Sequence, residues 1–207
     1  MKKVLFFLFL LFSLLGQSQS SWQKFKQLSC AEKTWTVLHI FKAKKAYLIA
    51  KEAQHVSDSI AKTSLLDGDK SGGQVDAFRH AYWMARLHQE IGKRAARSLG
   101  KAHERANYQQ YKMSLLEDGE APDKISSKMD LFNNDIGINF TQKGVSHPKD
   151  GLIYKIVNAI LAGKLKIIKK DQHQNYLTCE NIPITKEELK GKWKNNKCLM
   201  NSNYRTN

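Results

Sequence analysis

Between Glu32 and Ile168 only two prolines, Pro122 and Pro148, interrupt the chain, and the stretches between them carry apolar residues at helical spacing. A segment without proline keeps every N–H available to the carbonyl four residues back, so an apolar period near 3.6 resolves as helix. The spacing predicts a helix from about Glu32 to Ala61, with Leu38, Phe41, Lys45 and Leu48 along one face. Leu65 to Gly73, rich in Gly, Asp and Ser, reads as a loop. A second helix is expected from Gln74 to Ile91, its inward stripe made of Asp76, His80, Trp83, Met84, Leu87 and Ile91. Ala77, Ala81 and Ala85 form a small-residue row beside that stripe, which admits a second helix at close range.

Gly92 is expected to end this helix, and a third to run on to Met113 with Ala95, Leu99, Ala102, His103 and Ala106 on one face. After a loop from Glu117 to Asp123, Ser127 is expected to cap a fourth helix with the stripe Met129, Phe132, Asn133, Ile136 and Phe140. A fifth is expected after Pro148, with an apolar face extending from Leu152 through Leu165 to Ile168. Past Asp171 the pattern weakens, with at most a short strand at Tyr176 to Cys179. The expected fold is therefore all-α: a single-domain helical bundle of about five main helices with an irregular C-terminal tail. The expected divisions are a leader over 1–20, a helical domain over 21–170 and an extension over 171–207.

The leader is read from Lys2 and Lys3, the apolar run Val4 to Leu15, and the small and polar residues Gly16 to Ser20. The run is about 12 residues where a membrane span needs roughly 20, so it fits a signal peptide cut after Ser18 or Ser20. The expected localisation is export, to the periplasm or beyond, as a mature chain without a transmembrane segment. Removing Lys2 and Lys3 takes the formal charge from +15 to +13. Such a charge suits anionic surroundings such as an anionic substrate, an envelope polymer, anionic lipid or nucleic acid. The lysines are scattered, however, as they are on any solvated basic surface. Of Cys30, Cys179 and Cys198, the last two share the C-terminal region, and their pairing is expected to leave Cys30 free. The bond is worth about 3 kcal/mol by loop closure.

Three polar groups stand on faces that helical periodicity would bury: Asp76 with Arg79 and His80, then His103 with Glu104, then Asp130 with Asn133 and Asn134. Asp76 and His80 are one helical turn apart, so the carboxylate can fix the imidazole's tautomer. Each group also has a structural explanation. An acid is favourable in a first helical turn, Asp130 stands three residues after Ser127 as in a capping box, and a buried histidine is commonly just hydrogen-bonded. Because unpartnered burial is costly, the three groups are expected to converge, as a site or as a structural network. Asp67-Gly-Asp69-Lys-Ser71-Gly72 matches half of a calcium loop, but Phe78 stands where the bidentate Glu belongs, so a Gly-rich turn is the better reading.

The series D-A-x-R-H-A, A-H-E and M-D-x-x-N-N-x-x-G, over roughly Gln74 to Leu165, resembles a domain family of unknown function found in exported bacterial proteins. That resemblance implies a mostly helical fold and extracytoplasmic use, and no reaction. The order His80, His103-Glu104, Asp130 is also similar to metal-dependent phosphohydrolases of the H…HD…D type, departing from them at Glu104, where an Asp is expected. It implies His80, His103 and Asp130 as ligands of Zn, Mn or Fe, and Arg79 as a phosphate contact. Two function classes follow: a hydrolase of a phosphoester or other anionic substrate, and a non-catalytic domain whose polar cluster organises its helices. A basic binder of envelope polymers or nucleic acid is a third.

Overall fold

The computed structural model describes residues 22–113 and 121–204. The expected leader, and most of the loop expected at Glu117 to Asp123, lie outside the described residues. The chain is mostly helical, with more than the five helices expected. After a helical stretch at 22–27 come α1 (Cys30–Leu38), α2 (Ile40–Ile60), α3 (Gln74–Ile91), α4 (Lys93–Lys112), α5 (Lys124–Ile138) and α6 (Lys149–Leu161). The strand β1 (Lys166–Ile168), a single turn α7 (Lys186–Leu189) and β2 (Leu199–Asn201) follow. Among the described residues no helix is long and apolar enough to cross a membrane.

The segment expected as one helix from Glu32 is two. His39 adopts φ −128° and ψ 40°, outside the helical region, and separates α1 from α2. A capping box between Ser29 and Glu32 starts α1. The face of α2 also differs from the expected one. Ala46, Ile49, Ala53, Ser57 and Ile60 are buried, whereas Leu38, Phe41 and Leu48 are exposed. Small Ala and Ser positions let α2 lie close on α3, and that proximity outweighs the larger apolar residues on the other side.

Helix α3 is the central element, packed against α2, α4, α5, α6 and β1. Its expected stripe is buried apart from the partly exposed Trp83. Helix α5 starts earlier than expected. Asp123, not Ser127, is its N-cap, accepting from the backbone N–H groups of Ile125 and Ser126 at 2.8 Å each. The buried face of α5 is Met129, Asp130, Asn133, Asn134, Gly137 and Ile138, while Phe132 of the expected stripe is exposed.

The fifth expected helix stops at Leu161. Gly163 follows with φ +74°, a conformation that ends a helix readily only in glycine. Leu165 to Ile168, the expected end of its apolar face, is instead buried as strand β1 and its approach. Beta-branched Ile167 and Ile168 suit that conformation. Strand β1 pairs antiparallel with β2, Lys166 opposite Asn201 and Ile168 opposite Leu199. The tail is thus tied to the helices rather than irregular throughout. At Tyr176 and Leu177, where a short strand was expected, there are isolated bridges to Lys170 and Pro183. The Cys179–Cys198 disulfide closes this region, and Cys30 is free and exposed.

Candidate functional site

Two helices build the site. Asp76, Arg79 and His80 stand on the first two turns of α3, and Asp130 and Asn134 stand one turn apart on α5. Close approach makes the pairing possible. A Cβ on Gly137 would lie 2.6 Å from the Ala81 Cα, so α5 presses glycine directly onto the small-residue row of α3. From the third side, Gly100 of α4 leaves room for the Asn134 amide, whose Nδ2 would be 3.1 Å from a Cβ there.

Asp76 is held at both oxygens. Oδ2 accepts from the Gly72 N–H at 2.7 Å, and Oδ1 accepts from Arg79 Nη2 at 2.7 Å. His80 Nε2 lies 3.5 Å from Asp76 Oδ1 and 3.4 Å from Asp130 Oδ1. On the far side of the ring, Nδ1 is 3.2 Å from Asn134 Oδ1. Nδ1 therefore meets the Asn134 amide while Nε2 faces the two carboxylates. One donor atom from each of Asp76, His80 and Asp130 falls within 4.8 Å of the others, and all three residues are buried. Burial, followed by the nearby charges of Arg79 and His103, pushes the His80 imidazole well below its ordinary range. The carboxylates of Asp76 and Asp130 act the other way on any cation at Nε2. The site attracts positive charge while its own imidazole resists a second proton.

A cavity of about 30 Å³ adjoins the cluster, lined by Asp76, Arg79 and Asp130 together with Lys70, Gly72 and Tyr176. That is room for a small ligand such as water and too little for a bulky one.

The other expected site residues sit differently. His103 is beside the cluster, its ring centroid 6.4 Å from that of His80, with Trp83 set nearly perpendicular to both rings. Its Nδ1 faces Glu32 Oε1 at 3.4 Å, so the compact three-ligand group contains Asp76 where His103 was expected. Glu104 is buried and accepts from Asn107 Nδ2 at 3.4 Å. Asn133 turns away from the cluster and clamps β1, donating from Nδ2 to the Lys166 carbonyl and accepting at Oδ1 from the Lys166 N–H, both at 2.9 Å. Asp67 and Asp69 accept from backbone N–H groups of their own loop, as in a Gly-rich turn, and Asp69 also pairs with Lys170 at 2.6 Å.

Glu32 is the partner that sequence reasoning missed. Its capping-box pattern with Ser29 explains it locally and hides its second role. Burial raises its pKa, but hydrogen bonds from His103 and Ser29 outweigh that and hold it below the usual carboxylate value. Gly137 was noted only as part of a motif, and its contact with Ala81 has no local signal.

A family model described as a domain of unknown function, DUF6973, matches residues 33–164. The chain belongs to the DUF6973 family. The match begins well before Gln74, so the DUF6973 domain takes in most of α1 and all of α2 as well as the helices that carry the cluster. It ends just before β1, leaving the disulfide-closed tail outside. No curated protein and no solved structure matches the chain.

Proposed function

We propose that this DUF6973 protein is an exported hydrolase that holds a divalent cation with Asp76, His80 and Asp130 and acts on a phosphoester or another anionic substrate. The observation that carries the reading is the convergence of His80 Nε2 with oxygens of Asp76 and Asp130 at 3.5 and 3.4 Å. A cation among these three atoms would be held by two carboxylates and an imidazole, with Arg79 already pairing one oxygen of Asp76. Mixed imidazole and carboxylate ligands suit Zn, Mn or Fe, and a cation in such a site lowers the pKa of a coordinated water toward neutrality.

The chain's own residues would supply the rest. Asn134 fixes the His80 tautomer, as second partners of metal-bound imidazoles do. Arg79 and Lys70 line the adjoining cavity, and Arg79, paired with Asp76, is the candidate contact for an anionic oxygen. Hydrolysis would add water to phosphorus and break one P–O bond, the alcohol leaving with a proton. His103 with Glu32, next to His80, is the candidate proton carrier. Export agrees with the disulfide, which persists in oxidising compartments.

Metal analysis after purification, titration with Zn, Mn and Fe, and assays on chromogenic phosphomonoesters and phosphodiesters test the proposal. The wild type should bind one cation per chain and hydrolyse one substrate class, and His80→Ala and Asp130→Asn should abolish both.

The small cavity and the burial of all three residues favour a second reading, in which the cluster only organises α3 and α5. In that case the wild type holds no metal, and His80→Ala costs a few kcal/mol of stability by emptying a buried position between α3 and α5.

A further inference from the structure

Helices α1 and α2 meet in an elbow whose large apolar residues point outward. Val37, Leu38, Ile40 and Phe41 are 64%, 74%, 68% and 100% exposed, four of the five residues at the bend. Soluble surfaces carry single exposed apolar residues routinely, but a contiguous group marks an interaction site.

The elbow is held in this shape. Trp35 donates from Nε1 to the Ala95 carbonyl and to Ser98 Oγ, anchoring α1 on α4. The His39 ring stacks on Trp35 with centroids 4.6 Å apart, and its Nδ1 is 3.0 Å from the Trp35 carbonyl. With Trp35 and His39 turned inward, the residues on either side of His39 cannot fold back into the core.

Charge decides among occupants. Residues 22–51 contain seven lysines and one acid, Glu32, and that acid faces His103. On α2, Lys44 and Lys45 follow Phe41 by three and four residues, and Leu48 by seven, so they share its face, with Lys45 also paired to Glu90 at 2.8 Å. A second copy would bring like charges together, whereas an anionic bilayer offers phosphates for the lysines and an acyl boundary for the apolar residues.

We infer that the α1–α2 elbow docks the protein on an anionic lipid surface, with Leu38, Ile40 and Phe41 entering the boundary between headgroups and acyl chains. The surface is independent of the Asp76–His80–Asp130 cluster and does not rest on its function.

The exported chain, its N-terminus verified, is sedimented with vesicles of phosphatidylcholine containing phosphatidylglycerol, and with vesicles of phosphatidylcholine alone. The wild type should bind the anionic vesicles at least about tenfold more tightly, and less so as salt rises. Leu38→Ser with Phe41→Ser should reduce that binding at least about tenfold with an unchanged thermal melt, because both side chains are already in water. Lys44→Glu should weaken it through charge while leaving the apolar residues in place. Failure of the wild type to sediment with the anionic vesicles overturns the inference. So does undiminished binding of the double serine variant, or a concentration-dependent dimer by light scattering that the serine variant alone disrupts.

Discussion

Gly137 on α5 lies directly against the backbone of Ala81 on α3, with room for no side-chain carbon between them. This contact sets the distance between the helix that carries Asp76 and His80 and the helix that carries Asp130 and Asn134. Gly137→Ala should therefore act on the cluster as well as on stability. The atoms in the way are backbone and cannot rotate aside, so the helices must separate at a cost of about 2 kcal/mol or more. Urea denaturation measures the loss. A variant as stable as wild type would contradict the packing described.

Asn133→Ala should be destabilising without touching the cluster. It removes two hydrogen bonds to Lys166 and leaves partly buried backbone groups at the start of β1 without those partners. The expected cost is about 2–3 kcal/mol. If the cation proposal holds, cation binding by the folded variant should equal that of wild type.

Asp123 gives the fold an acid-labile point. It caps α5 and pairs with Lys197 at 2.8 Å, both side chains almost fully buried. Burial raises its pKa, but the Lys197 charge and hydrogen bonds outweigh that and hold it below the ordinary 3.8. A carboxylate with a depressed folded-state pKa stabilises fully above its unfolded value, and loses that contribution as pH falls through the folded value. Stability should thus decline below about pH 4. Asp123→Asn should flatten that decline and cost about 3 kcal/mol at neutral pH, since Lys197 stays buried without its counter-charge. Denaturation curves from pH 7 to pH 2, for both proteins, report the two effects.

Reducing Cys179–Cys198 should lower stability by about 3 kcal/mol, the loop-closure value for a separation of 19 residues. The effect should centre on the tail, because the bond links the Tyr176–Leu177 bridge region to the residue before β2. Hydrogen exchange with and without reductant separates a local effect from global unfolding. Non-reducing peptide maps should join the two cysteines and leave Cys30 unlinked.

N-terminal sequencing of the exported protein should begin between Gln17 and Trp22. An intact Met1 on a membrane-bound product would refute cleavage of the expected leader.

Helical periodicity and scarce proline determined from sequence that this chain is mostly helical, and that Asp76, His80 and Asn133 face inward. Those signals are local: a residue's neighbours three and four positions away set the stripe whatever the rest of the fold does. The pairing of Cys179 with Cys198 was legible for a related reason, both lying in one short region. Tertiary structure alone decided the rest. It buried the small-residue face of α2 and left Phe41 in water, because the partner helix selects the face that permits the closest approach. It ended α6 at Gly163 and made Ile167 and Ile168 a strand, because Asn133 and β2 offer the backbone of that segment partners a helix would refuse. It set Asp76 with His80 and Asp130 while turning His103 to Glu32. Distances across helices depend on contacts such as Gly137 on Ala81, between residues far apart in the chain, for which no local pattern exists.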